Sequence, residues 1–118
     1  MKAIRGAITV PKNTKKAIYE SSKKLLSTII KDNKLKQEEI ISIIFTATTD
    51  LDKAYPATAA RELGIKLIPL LCFQEMYVVD SLKKCIRILL YVDRNCKHKD
   101  IKHVYLREAI TLRPDLAD

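Results

Sequence analysis

The sequence predicts an α+β domain in which a mixed β-sheet carries its helices on one face, in the order β-α-β-α-β-β-β. Three observations predict it. Residues 2–10 and 84–92 alternate apolar side chains with others at the period of two that a half-buried strand requires. Between them Ile18, Leu25, Leu26, Ile29 and Ile30 recur at helical spacing and form an apolar stripe. The chain of 118 residues can bury roughly two thirds of its unfolded surface but cannot build two cores, so residues 1–118 read as a single domain.

In the first strand Ile4, Gly6, Ile8 and Val10 share one face and Ala3, Arg5, Ala7 and Thr9 the other, which points Arg5 away from the helices. Pro11 ends it, and Asn13 or Thr14 caps a helix running to about Asp32. After the loop Asp32-Asn33-Lys34 and a short turn at Gln37-Glu38-Glu39, the β-branched run 40–48 is the second strand. A second helix begins near Tyr55 with Pro56 in its first turn, and Gly64 closes it. Residues 67–72 are the third strand, placed on an edge because Pro69 has no N–H to give a neighbour. In the fourth strand, 84–92, Ile86, Ile88, Leu90 and Val92 form an apolar face, opposite Cys85, Arg87, Leu89 and Tyr91. A charged turn at 93–100, a fifth strand at 101–106 and an irregular tail complete the chain.

Composition excludes several classes. Hydrophobic residues make up 47% and charged residues 31%, as in ordinary globular domains. No apolar run approaches the roughly 20 residues of a membrane span, and the longest, 67–73, contains Pro69. Arg5 stands where a signal peptide needs apolar residues, so a cytoplasmic protein is expected. Three cysteines, Cys72, Cys85 and Cys96, are an odd number without a Cys-x-x-Cys pair and fit reduced thiols. The net charge of +8 admits nucleic acid, an acidic surface or an anionic metabolite as partner. Most lysines crowd the first helix as a solvated face, whereas Arg5 and Arg87 interrupt apolar strands.

An arginine in mid-strand is costly to bury unless an anion satisfies its fork of donors. Arg5 and Arg87 therefore form a candidate carboxylate pocket, unless each pairs with a local acid such as Glu75 or reaches solvent. Glu75, just past the third strand, can accept a hydroxyl hydrogen bond or be a surface acid, and Tyr105 can bind a carboxylate or simply pack. Cys96, His98 and His103 match no usual zinc spacing, and two glycines make no phosphate loop. Cys72 and Cys85 lack a histidine partner and read as packing thiols.

Taken in order, Ile4-Arg5-Gly6-Ala7-Ile8-Thr9-Val10, Ala47-Thr48-Thr49-Asp50-Leu51, Tyr55-Pro56-Ala57, Ala60-Arg61-Glu62-Leu63, Cys72-Phe73-Gln74-Glu75-Met76, Leu82-Lys83-Lys84-Cys85-Ile86-Arg87, His103-Val104-Tyr105-Leu106 and Leu112-Arg113-Pro114-Asp115-Leu116 resemble the monofunctional, trimeric chorismate mutases over nearly the whole chain. That resemblance implies isomerisation of chorismate to prephenate by a Claisen rearrangement in aromatic amino-acid biosynthesis. It implies a homotrimer forming a pseudo α/β-barrel with sites between subunits, no metal, no cofactor, and neither nucleic acid nor membrane as partner. It further implies Arg87, Glu75 and the backbone of Cys72 as the catalytic set: Arg87 beside the ether oxygen, the other two on the ring hydroxyl. Arg5 and Tyr105 would hold carboxylates, and Leu71, Phe73 and Gln74 would flank Cys72 in contact with substrate. Tyr55, Ala57 and Leu112 would wall the pocket, and Arg61 and Arg113 would guard its mouth. Thr58, Tyr55 and Leu71 depart from the residues usual in the family, lysine, phenylalanine and threonine respectively. Two other readings are an RNA-binding module, disfavoured by only seven aromatic residues, and a trimeric imine deaminase, disfavoured by the tail motif.

Overall fold

The computed structural model describes residues 1–113. Five strands and two α-helices follow one another as β1 (Lys2–Thr9), α1 (Lys15–Asp32), β2 (Ile40–Ala47), α2 (Ala57–Glu62), β3 (Leu70–Gln74), β4 (Cys85–Val92) and β5 (Val104–Leu106). Short 3-10 turns occupy Gln37–Glu39, His98–Asp100 and Arg107–Leu112. The expected order of elements and single mixed sheet are present. The sheet runs β3-β2-β4-β1-β5, with β4 antiparallel to both central neighbours and the edge strands β3 and β5 parallel to β2 and β1.

Sequence and structure meet closely at α1. Thr14 is its N-cap, its hydroxyl accepting the Ala17 N–H at 3.1 Å, and the apolar stripe of Ile18, Leu25, Leu26 and Ile29 is fully buried. The stripe lies on the sheet face formed by Ile4, Ile8, Ile43, Phe45, Ile86, Ile88, Leu90 and Val92. Gly6 makes the close approach possible: a Cβ there would stand 2.7 Å from Ile29 Cδ1 and 3.1 Å from the Val104 carbonyl oxygen. Gly64, with φ of 88°, turns the chain out of α2.

Three boundaries differ from expectation. β3 begins at Leu70 rather than 67, because Leu67 is 97% exposed and Pro69 contributes only its carbonyl, which accepts the Ile43 N–H; it then continues through Gln74 by pairing with Ala47. β5 is three residues long instead of six, since residues 98–100 form a turn and the His103 ring takes the Arg5 N–H. The tail is not irregular up to Leu112 but coils as a 3-10 helix, which lays Ala109 and Leu112 over Ala7 and Cys85. Pro114, Asp115 and Leu116 of the tail motif lie outside the described residues.

Register then fixes which side chains share the face without helices. Tyr105 pairs with Ala7, Ala7 with Arg87, Arg87 with Thr46, and Thr46 with Phe73. These five therefore stand in one row across all five strands, on the face opposite α1.

Candidate active site

Arg87 is the centre of that row. Its Nε lies 2.8 Å from Glu75 Oε1, with the arginine side chain 44% exposed and the glutamate 17%. Glu75 arrives just past β3, where its N–H donates to the Ala47 carbonyl at 2.9 Å and carries on the β2–β3 ladder. The Thr46 hydroxyl donates to the same Glu75 Oε1 at 3.0 Å. A local acid thus does meet Arg87, and the pair is half open to solvent. Of the alternatives the sequence left open, pairing with a local acid or reaching solvent is what the described residues show: Arg5 and Arg87 are both exposed, and Arg87 meets Glu75.

A polar brace sets the start of β4, two residues before Arg87. Asp50 accepts the Lys84 N–H at 2.9 and 3.1 Å and the Thr48 hydroxyl; Thr48 Oγ1 in turn accepts the Cys85 N–H at 3.0 Å. Lys84 is held in the left-handed region, φ 48°. Glu75, Thr48 and Asp50 line one cavity of about 350 Å³ with Met76, Tyr77 and Leu82.

Farther along the open face, Arg5 sits two residues from Ala7 on β1, and its N–H donates to His103 Nδ1 at 2.9 Å. Burial, reinforced by the nearby Arg5 and Arg113 cations, pushes the His103 pKa below the ordinary imidazole value. Tyr105 is half-buried against Ala7, Cys85 and Ala109, and Leu112 packs on the same cluster.

The remaining sequence-derived candidates lie on or near β3 and α2, with Leu71 and Phe73 still on the open face. Tyr55, Cys72, Phe73 and Gln74 line a second cleft of about 590 Å³, together with Leu51 and Pro56. Tyr55 is 74% exposed there, while the Ala57 side chain is buried and its backbone partly offsets the upward push of burial on the Cys72 thiol. Arg61 is exposed on α2 with its charge felt at Cys72, and Leu71 is exposed on β3. The single chain therefore brings Arg5, Glu75, Arg87, Tyr105, Leu112, Leu71 and Phe73 to the open face, with the Arg113 charge felt at His103, and it gathers Tyr55, Ala57, Arg61 and Cys72 at the other cleft.

Thr46, Asp50 and His103 were not among the sequence candidates. Thr46 carried no signal, because its neighbour Arg87 is 41 positions away and only register joins them. Asp50 did carry one, as an acid in a polar loop beside Thr48 and Thr49.

Comparison with known proteins decides what the arrangement belongs to. The family model described as chorismate mutase type I matches residues 1–116. The chain belongs to the type I chorismate mutase family. It is 42% identical over 118 residues to chorismate mutase AroH of Bacillus subtilis, covering 99% of this chain and 93% of that one. To chorismate mutase AroH of Thermus thermophilus it is 43% identical over 117 residues, covering 98% and 96%. A solved chorismate mutase from Clostridium thermocellum superposes with a TM-score of 0.92 at 48% identity, covering 94% of this chain and 99% of that one.

Within this chorismate mutase domain the thiols are poorly suited to attack. Burial raises the Cys72 pKa and pushes that of Cys85 up to about 11, outweighing the opposing pull of Arg87. Among the described residues no three His, Cys, Asp or Glu side chains gather to hold a metal, and no helix is long and apolar enough to cross a membrane.

Proposed function

We propose that the chorismate mutase reaction is carried out here by Arg87 and Glu75, with Arg5 and Tyr105 holding the substrate's carboxylates and Arg61 and Arg113 guarding the pocket mouth. The isomerisation of chorismate to prephenate breaks an ether C–O bond while a C–C bond forms within one molecule, so no proton or covalent bond need pass to the protein. Binding the compact reactive conformer and meeting the charge that grows on the ether oxygen suffice. The observation that carries this reading is the Arg87–Glu75 pair on an uncovered sheet face shared with Arg5 and Tyr105. As a half-exposed ion pair it adds on the order of 0–1 kcal/mol to folding, so its use lies in orienting the guanidinium. The fork has five N–H donors, and Arg87 can keep Glu75 on Nε while turning others to the ether oxygen. The Glu75 carboxylate and the Cys72 backbone take the ring hydroxyl.

The active assembly in this reading is a cytoplasmic homotrimer, the sheets packed into a pseudo α/β-barrel and each site shared by two subunits. Two features support it. The uncovered face carries Leu71 at 55% and Phe73 at 50% exposure, a load of apolar surface that another subunit would remove from water. Tyr55 and Arg61 stand apart from Arg5, Arg87 and Tyr105 in one chain, and a neighbour's Tyr55 and Arg61 would complete the pocket. Leu71, Phe73 and Gln74 line it beside Cys72, Ala57 supplies backbone, and Leu112 closes it.

The test is to incubate the purified protein with chorismate and follow prephenate. The expected result is conversion far above the uncatalysed rate by a particle about three times the 13.5 kDa chain. No conversion by a folded trimer, or full activity from a monomer, overturns the respective part.

A further inference from the structure

We infer that Thr46 is a positioning residue for this reaction, acting through Glu75 on Arg87; the inference rests on the roles given to those two residues above. Thr46 and Arg87 are direct partners across β2 and β4, so their side chains rise from the same face with Cβ atoms about 5 Å apart. Glu75 comes to that spot from β3, and one of its oxygens, Oε1, receives both the Thr46 hydroxyl at 3.0 Å and Arg87 Nε at 2.8 Å. A carboxylate held by the arginine alone can swing about its own side-chain torsions and carry the guanidinium with it. A second donor, fixed on a strand by a β-branched side chain with restricted χ1, removes that freedom. Thr46 on β2 and Arg87 on β4 meet at one oxygen of Glu75, which stands just past the end of the neighbouring β3, so the sheet helps to set the plane of the guanidinium.

Loss of the hydroxyl should therefore appear in turnover rather than in affinity. A misaligned guanidinium still attracts the dianion, but it meets the growing charge on the ether oxygen at a poorer distance and angle. The hydroxyl donates to an ionised acceptor, the stronger kind of hydrogen bond, so an effect of about tenfold is expected.

The experiment measures kcat and KM with chorismate for the intact protein and for Thr46→Val, Thr46→Ser, Glu75→Ala and the Thr46→Val, Glu75→Ala double variant. Thr46→Val is expected to lower kcat about tenfold with KM within about twofold, and Thr46→Ser to recover kcat to within about twofold of the parent. On the Glu75→Ala background the same valine substitution should cost less than about twofold, since the residue it acts through is gone. Thr46→Ala lacks the same hydroxyl and is read in the same way if the valine variant does not fold. The proposal is overturned by parental kcat in Thr46→Val, by a serine variant as slow as the valine one, or by a tenfold loss that persists without Glu75. Parental turnover in Glu75→Ala would remove the site reading as well; a crippled Glu75→Ala beside a fully active Thr46→Val removes the role of Thr46 alone.

Discussion

Both carboxylate oxygens of Asp50 face the backbone N–H of Lys84, at 3.1 and 2.9 Å, across 34 residues of sequence. This contact holds Lys84 in a left-handed conformation at the entrance to β4, the strand that presents Arg87. Asp50→Ala is expected to lower stability by about 1.5–3 kcal/mol, the usual scale for hydrogen bonds to a charged acceptor. Asp50→Asn, which keeps one acceptor oxygen, should lose about half as much. The urea midpoint reads this directly; an unchanged midpoint in Asp50→Ala would show that Lys84 holds its conformation without the brace.

Gly6 offers a packing test independent of the site. Its backbone is not in the left-handed region, so alanine is permitted by conformation and opposed only by space. The added methyl meets Ile29 Cδ1, which can rotate away, and the Val104 carbonyl oxygen, which β5 pairing holds in place. Overpacking of this kind costs about 1–3 kcal/mol. Gly6→Ala should therefore lower the unfolding midpoint, whereas an equal or higher midpoint would mean that α1 shifts away from the sheet at little cost.

His103 makes stability depend on pH. Its Nδ1 accepts the Arg5 N–H, and only the neutral ring can do so. Because burial depresses the folded-state pKa, the unfolded chain binds the proton first as pH falls. The contribution is fully present above the ordinary histidine pKa near 6.5 and is lost as pH falls through the lower folded value. His103→Asn, whose side-chain oxygen can replace Nδ1 without titrating, should flatten the fall in urea midpoint between pH 7 and pH 5. The same slope in both proteins would assign that fall to other groups.

Period-two alternation made β1 and β4 legible, and with them the face on which Arg5 and Arg87 stand. The cap at Thr14 and the stripe of α1 were equally plain, since both are local signals. What failed was non-local. The apolar run from Leu67 looked like a strand, but strand limits depend on where a partner's N–H groups lie, and Pro69 meets β2 by its carbonyl alone. His103 reads as a strand residue until the fold puts the Arg5 N–H beside its ring. Thr46 gave no sign of its place because register, which makes it the neighbour of Arg87, is a property of the paired strands. Whether the arginines are buried or reach solvent stayed open for the same reason: alternation tells which face a side chain takes, and not whether that face is covered.

Arg5 and Arg87 share the open face but should fail differently. In the proposed role Arg5 would grip a carboxylate that is charged before and after the ether bond breaks, so Arg5→Ala is expected to raise KM by more than it lowers kcat. A variant with parental KM and reduced kcat would move Arg5 from binding to the chemical step.

The most direct measurement is kcat for Arg87→Ala with chorismate, alongside a fold control by circular dichroism. In the proposed role Arg87 is a preorganised cation against charge that exists mainly in the transition state, and removing one such donor costs roughly 10² to 10³ in rate. The predicted result is a fall in kcat of at least that factor in a folded protein, with Arg87→Lys recovering only part because an ammonium lacks the planar fork. Near-parental kcat with only KM changed would make Arg87 a binding residue and contradict the electrostatic mechanism.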